Sequence, residues 1–123
     1  MAARHQTVQT DISAKEVVLS FIQALNDNDF ESARSHVDDA LVFQGVMGSR
    51  NGADEYFKDM RKMKLKYAVQ KVFEDGEDVC LWYDISMAGE QIFSAGWYKV
   101  EDGRIVSFKV IFDPRPLLKQ AKQ

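Results

Sequence analysis

The chain is predicted to fold as one α+β domain, with helices packed on a strongly curved, mostly antiparallel sheet. Three observations predict this class. Three segments in the first half of the chain have apolar residues at helical spacing, and four segments in the second half alternate with a period of two. Short turn sequences separate these four segments. Helices followed by an antiparallel meander are typical of α+β domains, and a long twisted sheet can curl into a cone around an internal pocket.

The first two helices follow from capping and turn residues. Ser13 and Glu16 have the spacing of a capping box, and the apolar residues of 17–25 then fall on one face of a helix. Residues 26–29 read Asn-Asp-Asn-Asp, whose short polar side chains compete with the helix for backbone hydrogen bonds. A second, shorter helix is therefore expected from about Asp29 to His36.

A strand and a third helix are expected next. Residues 38–44 are predicted to lead from a turn into a strand, and three glycines between residues 45 and 52 indicate an irregular stretch. Asn51 is expected to cap the third helix, in which Ala53, Phe57 and Met60 fall on one face.

Four strands are predicted at residues 65–74, 79–87, 92–100 and 104–112, separated by Asp75-Gly76, Ala88-Gly89 and Asp102-Gly103. In the strand over 79–87 the odd-numbered residues are apolar and are assigned to the interior. Trp82 and Asp84 then lie on the outer face. The opposite facing would bring Asp84 into the pocket as the leading acid–base candidate, but the regular alternation of the odd-numbered residues argues against it.

Composition narrows the function classes. The chain has 123 residues, a net charge of −3 and a pI of about 5.3, which argues against a general nucleic-acid or anionic-membrane binder. The single cysteine, Cys80, excludes an intrachain disulfide framework and indicates a reducing compartment. The start of the chain has no apolar core of a signal peptide, so a cytoplasmic protein is expected. The predicted organisation is a flexible tail over 1–10, a single domain over 11–118 and a C-terminal tail over 119–123.

Several segments together resemble one family of folds: residues 17–26 with 29–30, residues 38–42, Gly52 before the third helix, and the hairpin over 96–105. In order and spacing these segments resemble the nuclear transport factor 2-like superfamily, in particular its SnoaL-like, ketosteroid-isomerase-like branch. The resemblance implies a cone-shaped α+β fold with a pocket between the helices and the concave sheet, usually in a dimer. It implies no single activity, because isomerases, cyclases, dehydratases, epoxide hydrolases and binding domains share this fold.

The machinery of the isomerase branch is not preserved at the positions that the resemblance aligns. That branch needs a hydroxyl donor on the first helix, a carboxylate base after the first strand and a carboxylic acid on a later strand. Phe21, Gln44 and Gly96 stand at those positions. Ketosteroid-type isomerisation is therefore not expected.

Asp113 and His36 are the candidate catalytic residues. Asp113 ends the last predicted strand, where some cyclases of the SnoaL-like group use a carboxylate, and apolar neighbours such as Phe108 and Phe112 would raise its pKa. The structural alternative is that Asp113 caps a short C-terminal helix with Pro114 in its first turn. His36 ends the second helix near the expected mouth of the cone, where it could transfer a proton or simply face the helix terminus. The sequence has no spacing of metal ligands, and no metal or other cofactor is expected.

An apolar lining is expected for the pocket, although the same residues would also suit a solid core. The candidate ligand-binding residues are Phe21, Phe43, Phe57, Met60, Tyr83, Tyr98 and Phe108. A basic run around the third helix is interpreted as its solvated side, with an anionic ligand as the alternative. It consists of Lys58, Arg61, Lys62, Lys64 and Lys66.

These observations favour a protein that binds a small, largely apolar molecule in an internal pocket, with acid–base isomerase, cyclase or dehydratase chemistry as one version of that function. A non-catalytic ligand-binding domain is the alternative, predicted if every polar group at the cavity is already paired. A protein-interaction module is a third class. Trp82 and Trp97 on the outer sheet face suggest a homodimer that covers this face.

Overall fold

A computed structural model describes residues 12–122, with side chains described for residues 12–118, so the predicted tail over 1–10 lies outside the described residues. The helices are α1 Ala14–Asn26, α2 Phe30–Ser35, α3 Ala53–Met63 and α4 Arg115–Lys122. The strands are β1 Val37–Gly45, β2 Gly48–Asn51, β3 Lys66–Asp75, β4 Asp78–Met87, β5 Glu90–Glu101 and β6 Arg104–Phe112. None of the described helices combines the length and apolar composition needed to cross a bilayer.

The α+β prediction is confirmed. The strands form one curved sheet in the order β2-β1-β6-β5-β4-β3, in which β1 and β6 are parallel and all other neighbours are antiparallel. The register shifts within the β1–β6, β3–β4 and β5–β6 pairs, and such irregularities bend strands and increase their twist. The concave side of the sheet packs against α1, and α3 packs on β1 and β2.

The capping box of α1 is present as predicted, because the Ser13 hydroxyl accepts from the Glu16 amide at 3.1 Å and the Glu16 carboxylate accepts from the Ser13 amide at 3.2 Å. The predicted cap of the third helix is wrong. Asn51 lies in β2 opposite Val42, and the residue before α3 is Gly52 with a φ of 98°. The chain must turn sharply from the strand into the helix, which glycine allows.

Two further boundaries differ from the prediction. The glycine-containing stretch after β1 is not irregular throughout, because residues 48–51 fold back and pair with β1. The first hairpin turn is Gly76-Glu77, one residue later than expected, whereas Ala88-Gly89 and Asp102-Gly103 form the other turns as predicted.

The strand facing is confirmed. Val79, Leu81, Tyr83 and Ile85 are buried on the concave side, whereas Trp82 is exposed on the convex side. The aromatic side chains of the interior pack into what we call the closed core, which comprises Phe21, Tyr56, Phe57, Tyr83, Tyr98 and Phe108. These rings fill the middle of the cone between α1, α3 and the sheet.

Candidate functional site

A cavity of about 720 Å³ lies at one end of the cone and is open to solvent along one side. Its walls come from β1 with its turn into β2, the C-terminal half of α3, the β4–β5 turn, the end of β6, and α4. The apolar lining consists of Phe43, Val46, Met47, Tyr56, Met60, Met63, Leu65, Ile85, Met87, Ala88, Val110, Phe112 and Leu117. We call this cavity the methionine groove.

The methionines of the chain are concentrated in this groove. The chain has 5 methionines, and every one except Met1 lines the cavity, namely Met47, Met60, Met63 and Met87. Met47 is 59% exposed and Met63 is 47% exposed. Unbranched thioether side chains of this kind adapt their shape to whatever contacts them. The groove therefore has an apolar wall of flexible side chains, and this wall is already accessible from solvent.

Three charged side chains also line the groove: Arg50, Asp59 and Lys62. The Arg50 Nε donates to Asp59 Oδ2 at 2.7 Å, and its Nη1 donates to the backbone oxygen of Ser49 at 2.8 Å. Both partners of the ion pair are partly exposed, so the pair fixes the arginine in place without a large gain in stability. Of the basic run in the sequence, Lys62 is the residue that reaches the groove.

The groove shares two residues with the predicted ligand-binding set, Phe43 and Met60. The structure places Phe21, Phe57, Tyr83, Tyr98 and Phe108 in the closed core instead, where each is at most 3% exposed. Their rings contact one another at centroid distances between 4.7 and 6.4 Å. These residues therefore belong to the packed interior and not to the lining of the groove.

Four buried tyrosine hydroxyls pair with each other inside the cone. The Tyr83 and Tyr98 hydroxyls lie 2.8 Å apart, and Tyr56 and Tyr67 form the second pair. Tyr67 is half-buried as a residue, but its hydroxyl lies in the interior. Burial raises the pKa of all four hydroxyls above the usual tyrosine value. Each hydroxyl is satisfied within the protein and stays protonated at neutral pH.

Gly96 is the residue that makes room for this arrangement. A Cβ added there would lie 2.5 Å from the Tyr83 hydroxyl and 2.7 Å from Cε1 of Tyr98. The tyrosines thus fill the space in which a side chain at position 96 would stand. Sequence reasoning identified Gly96 as a lost acid position but did not identify what replaced the side chain.

Asp113 lies at the surface and outside the groove lining. Its Oδ1 accepts from the Arg115 amide at 3.0 Å, and its carboxylate also accepts from the Arg115 guanidinium at distances of 2.6 to 3.0 Å. These hydrogen bonds lower the pKa of Asp113 to about 2. The expectation of a raised pKa is wrong, because Asp113 is solvated and bonded to Arg115. The contacts fit the alternative of a residue that organises the start of α4.

His36 also lies away from the groove lining. It ends α2, where its backbone N–H donates to the oxygens of Ala33 and Arg34 and its own oxygen accepts from Ile105 at 2.8 Å. Partial burial lowers the pKa of its imidazole. The structure therefore brings neither predicted catalytic residue to the groove, and it gives His36 a connecting role between α2 and β6.

Asp84 faces outward, as the sequence favoured. Its Oδ2 accepts from the side-chain amides of Gln70 at 2.7 Å and Gln91 at 3.3 Å. Five large apolar side chains are exposed on the same convex surface, which we call the outer aromatic face: Phe73, Trp82, Phe93, Trp97 and Ile111. Trp82 and Phe93 pack against each other at 5.3 Å between ring centroids.

A family model described as a SnoaL-like domain matches residues 18–108, which is most of the chain. The chain belongs to the SnoaL-like family. It is 48% identical to an NTF2-like protein of unknown function from Cytophaga hutchinsonii, with a TM-score of 0.85 over 86% of this chain and 95% of that chain. A protein from Kribbella flavida is 28% identical, with a TM-score of 0.82 over 90% of this chain and 95% of that chain.

Remoter structures extend the same fold. An LEH-like epoxide hydrolase of M. tuberculosis is 23% identical to this SnoaL-like protein, with a TM-score of 0.75 over 86% of each chain. At that identity the likeness concerns the fold alone. None of the curated proteins matches the chain. The resemblance seen in the sequence is confirmed.

Polar side-chain atoms in the described part of this SnoaL-like protein are either accessible to solvent or hydrogen-bonded. Among residues 12–118 no aspartate or glutamate side chain is buried, and every buried side-chain nitrogen or oxygen has a hydrogen-bond partner. No three histidine, cysteine, aspartate or glutamate side chains of the described residues lie close enough to hold a metal ion. Burial raises the pKa of the Cys80 thiol, which disfavours a thiolate nucleophile.

Proposed function

We propose that this SnoaL-like protein binds a small, largely apolar molecule in the methionine groove and releases it unchanged. The observation that carries the proposal is the concentration of all four internal methionines around one open cavity. A volume of about 720 Å³ suits a small organic ligand, since such sites span roughly 300–1,000 Å³. An apolar ligand would remove the exposed parts of Met47 and Met63 from water, which supplies the driving force.

The polar groups support binding without turnover. Acid–base chemistry needs a group at the ligand that can accept or donate a proton near neutral pH. Asp59 lines the groove but is engaged by Arg50, and Asp113 is bonded to Arg115 at the surface. The four buried tyrosine hydroxyls are paired with each other. These pairings leave the carboxylates and hydroxyls named here without a free role in proton transfer, which supports binding without turnover.

The test is a fluorescence titration with N-phenyl-1-naphthylamine, a neutral dye whose emission rises in apolar surroundings. Leu117 and Leu118 provide a matched pair, because Leu117 lines the groove and Leu118 is exposed outside its lining. We expect Leu117→Gln to weaken dye binding about tenfold, which corresponds to roughly 1.4 kcal/mol of lost apolar contact. Leu118→Gln has the same chemical change on the same helix and is expected to bind like the parent.

Two results would overturn this proposal. One is the absence of saturable dye binding by the folded parent protein. The other is binding that persists in both Leu117→Gln and Met63→Gln but is lost in Phe93→Gln, because that pattern would place the dye on the outer aromatic face. A shallow depression lined by Trp82, Phe93 and Ile111 exists there, so the comparison is needed.

We also propose that the outer aromatic face is covered by a second copy of the chain. Its aromatic residues lie on neighbouring strands, where Trp97 pairs in register with Cys80 and Lys109. Lys109 sits over the Trp97 ring at 5.3 Å and Asp78 accepts from the Trp97 indole N–H at 2.9 Å. Side chains of both signs around an apolar centre suit a two-fold contact, because a copy of the same surface then meets charges of either sign.

Sedimentation velocity tests the dimer. We expect a dimer for the parent and a monomer for Phe93→Glu, since the new carboxylate would lie beside Asp84 and a dimer would bury it without a basic partner. Leu118→Glu adds the same charge at another exposed apolar residue and is expected to remain dimeric. A monomeric parent protein would contradict the proposal and favour a protein-interaction module that uses this face for a different partner.

A further inference from the structure

The methionine groove is lined by more cationic than anionic side chains. Arg50 and Lys62 are cationic at neutral pH, and Asp59 is the carboxylate that lines the same cavity. The groove thus has one positive charge in excess beside an apolar wall, although the chain as a whole has a net charge of −3. This local sign points to the charge of the ligand.

Two hydrogen-bond donors remain open at the groove. Arg50 uses Nε for Asp59 and Nη1 for the backbone of Ser49, and its Nη2 has no partner among the described residues. The Lys62 ammonium likewise has no hydrogen bond or ion pair with the side chains described for residues 12–118. Lys58, one turn earlier on α3, is paired with Glu55 at 3.4 Å. Arg50 and Lys62 therefore have donors available to a ligand, whereas the Lys58 ammonium is already paired.

We infer that the ligand is an anionic amphipath, with one acid group at Arg50 and Lys62 and an apolar chain along the methionines. This inference rests on the proposed function and specifies its ligand class. Charge-assisted hydrogen bonds to an anion are stronger than bonds to a neutral hydroxyl, and one negative charge balances the excess of the groove. A cationic head group would instead have to compete with Arg50 for Asp59.

Displacement of N-phenyl-1-naphthylamine by three amphipaths of matched chain length tests the charge. Decanoate, decanol and decyltrimethylammonium each have an unbranched ten-carbon chain, whose last carbon in decanoate is the carboxyl carbon, and they differ in the head group. At pH 8 and low salt we expect decanoate to displace the dye at about tenfold lower concentration than decanol, since the site is partly exposed and the ion pair is screened. Decyltrimethylammonium is expected to be the weakest of the three.

Variants assign the preference to named residues. The ratio of decanol to decanoate midpoints is compared within each variant, so that a general loss of affinity cancels. Lys62→Gln is expected to lower the ratio to about twofold to threefold, and Lys58→Gln, which removes the same charge from the same helix, is expected to leave it near tenfold. Asp59→Asn is expected to raise the ratio, because it frees Arg50 Nε for the ligand.

The outcomes separate the two proposals. Equal displacement by decanoate and decanol would overturn the anionic ligand while leaving apolar binding in the groove intact. Failure of the dye itself to bind would instead contradict the proposed function. A preference for decanoate that Lys62→Gln and Lys58→Gln reduce equally would also overturn the inference, because it would reflect net charge rather than the groove.

Discussion

The closed core and the methionine groove solve the same packing problem in opposite ways. In the closed core, rigid aromatic rings and paired tyrosine hydroxyls fill the interior completely, down to the Cβ position of Gly96. In the methionine groove, flexible side chains line an unfilled space of about 720 Å³. Both regions share the concave face of one sheet, since Tyr83 and Ile85 are two residues apart on β4.

This difference shows that side-chain size sets where the interior of this cone is open. Where Tyr83 and Tyr98 extend towards each other across Gly96, the interior is closed, and where the chain has Ile85, Met87 and Val110, it is open. The closed core should then govern stability, and the groove should govern binding.

The largest expected effect comes from the four buried tyrosines at alkaline pH. Their folded pKa values are raised above the unfolded value of about 10. Between those values the folded state keeps protons that the unfolded state has lost, so their stabilisation is complete below pH 10 and decreases as pH rises. The stabilisation from each tyrosine falls by about 1.4 kcal/mol per pH unit above pH 10, which gives about 6 kcal/mol for the four at pH 11.

Urea unfolding between pH 8 and 11, with tyrosinate absorbance followed in parallel, measures this decrease. Tyr98→Phe is expected to make the slope about one quarter shallower, although it lowers stability at pH 8 by leaving the Tyr83 hydroxyl unpaired. Tyrosinate that forms near pH 10 in folded protein would show that the closed core admits water. That result would contradict the contrast between the closed core and the methionine groove.

A pair of identical substitutions compares the closed core and the methionine groove directly. Gly96→Ala places a methyl group 2.5 Å from a buried hydroxyl and is expected to destabilise the fold by about 3 kcal/mol. Gly45→Ala, on β1 at the groove, places it 3.0 Å from the Phe43 ring, which can move towards the open cavity, so less than about 1 kcal/mol is expected.

Chemical denaturation at pH 7 checks both values. A double variant Gly96→Ala with Tyr83→Phe should regain part of the lost stability, because it removes the atom nearest to the new methyl group. Equal losses at the two glycines would mean that the groove is as tightly packed as the core, against the interpretation above.

The spacing of apolar residues predicted most of the fold, because this spacing follows directly from local backbone geometry. Strict alternation over residues 79–87 fixed the facing of β4, and a slip of one residue would have reversed every side chain of that strand. Strand β2 was not predicted, because it has no such spacing. Residues 48–51 are all exposed and have no apolar alternation, so the strand exists only through its pairing with β1.

The candidate site was less predictable because it depends on contacts between distant segments. Phe43 and Phe108 look alike in the sequence, yet one lines the groove and the other stacks on Tyr98 in the core. Gly96 leaves the space that the Tyr83 and Tyr98 hydroxyls occupy, and no local sequence pattern shows this. The methionines at positions 47, 60, 63 and 87 are visible in the sequence, but only the fold brings them to one cavity.

A smaller effect is expected from His36, at the opposite limit of pH. Burial lowers its folded pKa below the unfolded value of about 6.5. The unfolded state then takes up the proton first, so stability present above pH 6.5 is lost as pH falls through the folded pKa. His36→Gln should flatten the decline between pH 7 and 5, by less than about 1 kcal/mol after screening of a half-buried ring. A decline unchanged in the variant would assign it to other groups.

The smallest effect is expected from Asp113, and it separates a binding protein from an acid–base enzyme. A carboxyl with a pKa of about 2 is a weak base at neutral pH, and its contacts with Arg115 keep it so. Its contribution to stability is present above the unfolded pKa of about 3.9 and is lost as pH falls through 2. Asp113→Asn should therefore change dye binding in the groove by less than twofold. A carboxyl ¹³C titration gives the pKa itself, and a value above 4 would place Asp113 in apolar surroundings and restore it as a candidate for proton transfer.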